Sequence, residues 1–387
     1  MKNYINMFLV SVFIFACRKE EIRDHLIDSR SITLEVLDSI EIPFRHKFVV
    51  HDLDPIQKTV LFTTPGQQPK IILADFEGEI FATLPTKEVF SGCFGSLLAP
   101  LKIDGDDSIL AYGSNAFLNF DFSGKIQSCV KHASGKLLES PKLAIEEGIE
   151  KIGNKHLYIN QGLANIDQKD KNIRRELRLL VWLYPENGES EPFVQFPETS
   201  IFREEKSFFK EAWKPVFTVV EDHIFLIFGT EPIIYVYKAF SPYSMVSSIP
   251  IDLPNFSYSQ LVNNHSSRLN YFEMPFNSGK ILSLKRLDSH FIIAYFPGVN
   301  SLYSKKQLGI STQELNSLSR KMAKNHPNRI AIVDLEGNVI NDFVPGRLDP
   351  KSMLLRNNEL WMLEKLDVNV EKDYFRLFRV GLKIEEK

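Results

Sequence analysis

One arrangement of β-strands recurs along most of this sequence. The unit consists of an apolar strand, a connection, a second strand that ends in an acidic or polar residue, a tight turn and a third strand of alternating polarity. Three copies are clear, at residues 59–84, 108–130 and 329–344. In the first copy the turn is Glu77-Gly78, and glycine supplies the positive φ that tight hairpins require. The repeat therefore favours an all-β fold, and the 30 Phe and 12 Tyr residues agree with it because aromatic side chains suit strands.

Less regular copies lie between the clear ones and bring the number of units to six. The first apolar strands of the units begin at residues 59, 108, 155, 223, 290 and 359, and a further short strand such as 216–220 stands upstream of each. Four-stranded units in such a series predict a six-bladed β-propeller, in which ring closure removes the exposed sheet edges. The alternating segment 31–42 is predicted to complete the last blade. A pair of β-sandwiches is the alternative architecture.

The predicted insertions are distributed unevenly. In a propeller blade, the connections from second to third strand and from one blade to the next share one face, which we name the long-loop face. Every long insertion belongs to it: 161–175, 197–210, 253–278 and 297–328. The last of these is predicted to carry a helix near 311–323, with Ser311 and Glu314 as a capping box. Since binding groups concentrate on loops held by a rigid scaffold, the long-loop face is the predicted working face.

The amino-terminal residues form a separate element. Lys2 provides a positive start, and residues 4–16 form an almost unbroken apolar run that ends at Ala16-Cys17. The run has the length of a secretory signal core and is short for a membrane span. It resembles a bacterial lipoprotein signal, which implies cleavage before Cys17 and lipid attachment to that cysteine. An ordinary cleaved signal with an incidental cysteine is the alternative.

The predicted organisation is a signal peptide at 1–16, a tether at 17–30 and one propeller domain at 31–384. Lys19-Glu20-Glu21 also resembles the signal that directs Bacteroidetes lipoproteins to the cell surface. The expected location is therefore the outer membrane, with the protein facing either the periplasm or the outside.

The remaining cysteines, Cys93 and Cys129, are interpreted as two buried free thiols, although a disulfide is allowed outside the cytoplasm. None of the nine histidines has the spacing of a metal site, and no phosphate-binding glycine loop or catalytic serine motif is present. We therefore predict no metal, no cofactor and no catalytic residue. The net charge of −3, without a basic stripe, argues against a nucleic-acid partner.

Five residues on the long-loop face are candidates for ligand contact, because aromatic and cationic side chains combine contact area with directional donors. They are Trp213, Lys214, His265, Arg268 and Tyr271. The alternative is structural: Trp213 would fill a blade interface and Arg268 would pair with a carboxylate.

The favoured function is a membrane-anchored module that binds a glycan, a peptide or another envelope protein. The competing hypothesis is a hydrolase or lyase acting on a glycan or peptide. An enzyme should place two or more titratable groups with perturbed pKa values within hydrogen-bond reach of one another at the axial mouth of the long-loop face. A binding module should instead show an open aromatic patch there, without such a pair. A passive assembly subunit, the third possibility, should carry a large apolar patch on its flank.

Two segments near the carboxy terminus add to the lipoprotein start and the six units: 358–365 (Asn-Glu-Leu-Trp-Met-Leu-Glu-Lys) and 373–379 (Asp-Tyr-Phe-Arg-Leu-Phe-Arg). Together, these features resemble the DUF4221 family of Bacteroidetes propeller lipoproteins. The resemblance spans nearly the whole chain. It implies a six-bladed propeller outside the cytoplasm. No catalytic residue is established for that family, so the resemblance implies nothing about a reaction.

Overall fold

A computed structural model describes residues 30–66, 68–90, 92–133, 149–160, 175–204, 212–257, 278–299, 325–366, 370 and 372–386. The described strands are β1 Arg30–Ile42, β2 Val49–Asp54, β3 Thr59–Thr63, β4 Lys70–Asp75, β5 Ile80–Pro85, β6 Lys102–Ile103, β7 Ile109–Tyr112, β8 Ala116–Phe120, β9 Ile126–Lys131, β10 Glu150–Ile152, β11 Lys155–Ile159, β12 Leu180–Tyr184, β13 Glu189–Phe193, β14 Pro215–Val220, β15 His223–Phe228, β16 Glu231–Lys238, β17 Met245–Pro250, β18 Lys280–Leu287, β19 His290–Phe296, β20 Arg329–Val333, β21 Val339–Phe343, β22 Leu354–Arg356, β23 Glu359–Leu363 and β24 Phe375–Glu386. A short helix, α1, spans Thr86–Val89, and single 3₁₀ turns span Ile201–Arg203 and Pro350–Ser352.

The strands form six four-stranded antiparallel sheets, which are the blades of a six-bladed β-propeller. Blades 1 to 5 are continuous in sequence: β2–β5, β6–β9, β10–β13, β14–β17 and β18–β21. Blade 6 has the order β22-β23-β24-β1, so its outermost strand comes from the other end of the chain. The pairing of β1 with β24 runs from Arg30↔Glu386 to Ile42↔Phe375. This pairing closes the ring and confirms the sequence prediction for the fold.

The apolar core is divided among the blade interfaces. Six hydrophobic clusters are present, and each joins one pair of neighbouring blades. Between blades 6 and 1, for example, Ile42 and Trp361 pack with Phe62. The second and third strands of a blade, such as β3 and β4, are mostly buried, whereas outermost strands such as β5 and β17 are largely exposed.

The two faces of the ring are unequal, as predicted. Connections from first to second strand and from third to fourth strand are short turns, none longer than 239–244. They form the short-turn face. Connections on the long-loop face include 160–179, 194–214, 251–279 and 297–328. The helix predicted near 311–323 lies outside the described residues. Within the described residues no helix is long and apolar enough to cross a membrane.

Cys93 and Cys129 form a disulfide, so the interpretation of two free thiols was wrong. Cys93 lies in the connection from blade 1 to blade 2, and Cys129 lies on β9, the outermost strand of blade 2. Both pack against the apolar cluster between these blades. Their separation of 36 residues left no local signal of the bond, which depends on how the connection crosses blade 2.

Candidate functional site

Only two of the five predicted ligand residues lie within the described part of the chain. Trp213 and Lys214 are adjacent in the connection that leads into β14. Trp213 is only 3% exposed and belongs to the apolar cluster between blades 3 and 4, whereas Lys214 is half-buried. The tryptophan ring therefore has a packing role in this structure, and ligand contact by either residue stays a prediction. His265, Arg268 and Tyr271 lie outside the described residues, as does Cys17.

A cluster of buried and half-buried charges at the centre of the ring was not predicted. The innermost strand of each blade borders the propeller axis. Five of the six innermost strands contribute a charged side chain, and we name these residues the axial cluster: Asp52, Lys102, Glu150, Lys285 and Arg356. Asp52 is 1% exposed, and Lys102 and Lys285 are each 4% exposed. The sequence signal was at least one charged residue within the short strand at the start of a unit.

Asp52 and Arg356 form the most extensively bonded pair of the axial cluster. Arg356 Nε donates to Asp52 Oδ1 at 2.7 Å, and Arg356 Nη2 donates to Asp52 Oδ2 at 2.7 Å. The carboxylate also accepts the backbone N–H groups of Leu53 and Ile103, each at 2.9 Å. Burial acts to lower the pKa of Arg356, but the charge and hydrogen bonds of Asp52 outweigh it and leave that pKa raised. One carboxylate therefore links blade 6, blade 1 and blade 2 beside the axis.

The other three members of the axial cluster meet less closely. Lys285 Nζ lies 3.9 Å from Glu150 Oε1, which joins blades 5 and 3. Lys102 Nζ donates to the carbonyl oxygen of Ile149 at 2.7 Å. Burial, followed by the nearby charge of Arg356, lowers the pKa of Lys102 to about 8, against the opposing attraction of Asp52 and Glu150. Burial therefore disfavours the charged form of Lys102 at this position.

Two buried histidines flank the cluster, and both are neutral at physiological pH. His51 Nδ1 accepts the N–H of Leu101 at 3.0 Å, which places its proton on Nε2, 2.8 Å from the Thr63 hydroxyl. Burial lowers the pKa of His51 to about 4. His156 lies with Nε2 4.0 Å from Asp104 Oδ2, and burial lowers its pKa to about 4 as well. Neither ring adds positive charge to the axis.

On the long-loop face, the described polar groups stabilise local structure. Glu231, at the first position of β16, accepts hydrogen bonds from the Ser200 hydroxyl at 2.8 Å and from the backbone N–H of Ile201 at 3.0 Å. Burial raises the pKa of Glu231. These bonds hold the connection between blades 3 and 4 in place.

A small cavity of about 90 Å³ also opens on the long-loop face, lined by residues of the 344–350 connection together with Asn328 and Lys365.

Exposed large apolar side chains lie mainly near the short-turn face. They come from blades 1, 2, 4, 5 and 6: Ile56, Ile80, Phe81, Ile126, Phe240, Met245, Val246, Leu335 and Ile384. Among the described residues, these side chains are spread over five blades and are not confined to one flank of the ring. Among the described residues there is also no group of three or more His, Cys, Asp or Glu that could hold a metal ion.

Comparisons with known proteins support the fold. No protein-family model matches the chain, and no curated protein matches it in sequence. A crystal structure of a DUF4221 family member from Bacteroides vulgatus superposes with a TM-score of 0.64 at 10% identity, covering 91% of this chain and 99% of that one.

Two further solved structures from the same genus are less similar. A Bacteroides fragilis protein whose name suggests export gives a TM-score of 0.49 at 10% identity, covering 90% of this chain and 95% of that one. A Bacteroides caccae protein of unknown function gives a TM-score of 0.38 at 12% identity, covering 76% of this chain and 80% of that one. The fold expected from the resemblance is thereby confirmed: this chain is a six-bladed propeller like that of the DUF4221 family member from Bacteroides.

Proposed function

We propose that this protein is a membrane-anchored lipoprotein outside the cytoplasm, whose propeller binds a glycan, a peptide or an envelope protein at its long-loop face. The observation that carries the proposal is the inequality of the two faces. The short-turn face has no connection longer than 239–244, whereas the opposite face carries connections such as 251–279 and 297–328. Long connections on a rigid ring are where recognition residues are placed at little cost to stability.

The Cys93–Cys129 disulfide supports an address outside the cytoplasm. Disulfides persist in oxidising compartments and are rare in the reducing cytosol. The apolar run at 4–16, followed directly by Cys17, supports export and lipid attachment on independent grounds. The charged Lys19-Glu20-Glu21 segment extends the proposal to the outer membrane, with the propeller on the periplasmic side or at the cell surface.

The topology supports a particular orientation of the anchored ring. β1 is followed by the 43–48 connection to blade 1, which belongs to the long-loop face, so Ile42 lies toward that face. Arg30, at the other end of β1, therefore lies at the short-turn face. The segment from Cys17 to Arg30 can span at most about 45 Å even when fully extended. An anchor at Cys17 would hold the short-turn face toward the membrane and leave the long-loop face accessible.

The alternative function, a hydrolase or lyase acting on a glycan or peptide, would require an acid and a base that are free to exchange protons with a substrate. The axial cluster does bring titratable groups together, but Asp52 is bonded to Arg356 and Glu150 lies beside Lys285. Glu231, whose pKa is raised, holds a connection in place. Binding is therefore the function that the described contacts favour.

Partner capture from intact cells tests the binding face. The tagged full-length protein is compared with a variant whose 297–328 connection is shortened, and with a control in which Glu186, in a turn of the short-turn face, is replaced by Ala. We expect the shortened variant to lose its partners and Glu186→Ala to retain them. Recovery of the same partners by all three proteins, each shown to be folded by circular dichroism, would contradict the proposed binding face.

Lipid attachment is tested separately through Cys17. The Cys17→Ala variant should lose incorporation of labelled fatty acid and should leave the membrane fraction. The lipid anchor would be contradicted if the unsubstituted protein incorporated no fatty acid and the Cys17→Ala variant stayed in the membrane fraction. This result would not affect the proposal for the binding face.

A further inference from the structure

The small cavity on the long-loop face lies at the boundary between blades 5 and 6. Three connections line it. Asn328 precedes β20 of blade 5, the 344–350 segment leads from blade 5 to blade 6, and Lys365 follows β23 of blade 6. The cavity therefore belongs to the face on which the long insertions are grouped.

Backbone hydrogen bonds fix the shape of this cavity. The N–H of Asp349 donates to the carbonyl oxygen of Leu363 at 2.9 Å, and the N–H of Lys365 donates to that of Arg347 at 2.7 Å. These bonds join the 344–350 segment to the connection that follows β23. Two of the lining residues are prolines, whose ring restricts φ. A preformed site of this kind loses little conformational freedom when a ligand binds.

The volume of the cavity limits what can enter it. About 90 Å³ equals the liquid volume of about three water molecules, at roughly 30 Å³ each. A cavity of roughly 150 Å³ holds benzene, and pockets that enclose a small-molecule ligand measure roughly 300 Å³ or more. The cavity is therefore too small for a sugar ring or an aromatic side chain, and it matches one aliphatic side chain of valine or leucine size.

The lining chemistry suits an aliphatic side chain carried on a peptide backbone. The apolar lining residues are Val344, Pro345, Leu348 and Pro350, and none of the described lining residues is aromatic. The polar lining groups are the Asn328 amide, the Asp349 carboxylate and the exposed Lys365 ammonium. A peptide carbonyl oxygen can accept from the amide or the ammonium, and a peptide N–H can donate to the carboxylate.

The surface around the cavity is also apolar. Among the described residues of the long-loop face, the exposed large apolar side chains are Val344, Leu366 and Val370. Val344 lines the cavity, and Leu366 directly follows Lys365, which lines it too. A partner that covered this region would remove these side chains from water, which favours association.

We propose that this cavity is the subsite that anchors a peptide segment of the partner, and that it takes one leucine or valine side chain of that segment. The backbone on either side of the side chain would lie against Asn328, Asp349 and Lys365. This inference rests on the proposed function and narrows it, because the volume of the cavity favours a peptide segment over a glycan.

Short blocked peptides provide the probe. Acetyl-Ala-Leu-Ala-amide is titrated into the purified full-length protein, and saturation-transfer NMR identifies the peptide protons that contact the protein. We expect strong transfer to the leucine methyl groups and an affinity about tenfold or more above that of acetyl-Ala-Gly-Ala-amide, because an aliphatic side chain leaves water. Acetyl-Ala-Phe-Ala-amide and N-acetylglucosamine should also bind more weakly than the leucine peptide.

The Val344→Asp variant isolates the cavity. Val344 is 42% exposed, so folding should be retained, and a carboxylate at the entrance would oppose burial of an aliphatic side chain. The matched control is Val246→Asp, at a 53% exposed position of β17 in blade 4. We expect Val344→Asp to lose the preference for the leucine peptide and Val246→Asp to keep it. Equal binding of this peptide by both variants would overturn the proposal, as would tighter binding of the phenylalanine peptide or the sugar, or leucine binding no tighter than glycine binding.

Partner capture from intact cells separates this inference from the proposed function. If Val344→Asp retains the partners that are lost when the 297–328 connection is shortened, the cavity is not the anchoring subsite, and the long-loop face still binds. If the shortened variant retains its partners as well, the proposed binding face is itself contradicted, and the peptide titration alone decides whether the cavity takes an aliphatic side chain.

Discussion

The link between Asp52 and Arg356 yields the sharpest prediction on stability. The Asp52→Asn substitution keeps the size of the side chain but removes the buried charge that balances the half-buried Arg356 guanidinium. It also turns an amide N–H₂ toward Arg356, where the carboxylate now accepts two hydrogen bonds of 2.7 Å. Removing one partner of a buried ion pair costs about 3–5 kcal/mol, mostly because the other charge stays buried without compensation. We expect a loss of that size in the free energy of unfolding.

Urea denaturation followed by tryptophan fluorescence measures this loss, and the chain supplies a matched control. Arg45 and Asp373 form an ion pair with a similarly short N···O separation, 2.6 Å, but their side chains are 74% and 63% exposed. Asp373→Asn should therefore leave the free energy of unfolding almost unchanged. The double variant Asp52→Asn/Arg356→Met should lose less than the sum of its single substitutions, since it leaves no isolated charge. If Asp52→Asn lowers the free energy of unfolding no more than Asp373→Asn does, the pair of Asp52 and Arg356 is not a structural link between blades.

Two further predictions concern pH and the disulfide. His51 and His156, with folded pKa values of about 4, take up protons near pH 6.5 once unfolded. Between pH 6.5 and 4 the unfolded state therefore binds more protons than the folded state. As the pH is lowered through this range, the free energy of unfolding should decrease by up to about 3 kcal/mol for each histidine. This dependence of the free energy of unfolding on pH should become weaker in His156→Gln. It should remain in the control His46→Gln, because His46 is exposed. An unchanged pH dependence in His156→Gln would contradict burial of a neutral His156 ring. Replacing Cys93 and Cys129 together by Ser should lower the free energy of unfolding by about 2–4 kcal/mol. Non-reducing peptide mapping should show the two cysteines joined in the unsubstituted protein; recovery of both as free thiols would refute the pairing.

Much of the fold was predictable because its signals are local. Each unit carries its own apolar strands, its acidic strand end and its turn glycine, as at Glu77-Gly78. The closing strand was also predictable, because the alternating segment 31–42 had no partner within its own neighbourhood. The disulfide was missed for the opposite reason. Its formation depends on the path of the connection between blades 1 and 2, and the spacing of Cys93 and Cys129 does not encode that path.

The candidate site was predicted far less well. Trp213 was selected as an aromatic residue on a loop, but the structure packs its ring between blades 3 and 4. The charged residues of the innermost strands were not selected, because an aspartate, lysine or arginine in a short strand resembles a solvated strand end. Their importance appears only when five blades bring them to the same axis.

By itself, the sequence determined the number of blades, the strand that closes the ring and the face that carries the long loops. These features follow from the polarity and turn chemistry of neighbouring residues, which act over a few positions. Only the tertiary structure decided that Asp52 meets Arg356, 304 positions away, and that Lys102 lies beside them. Closure of the ring is a long-range event, and it converts isolated charges on separate blades into one buried cluster.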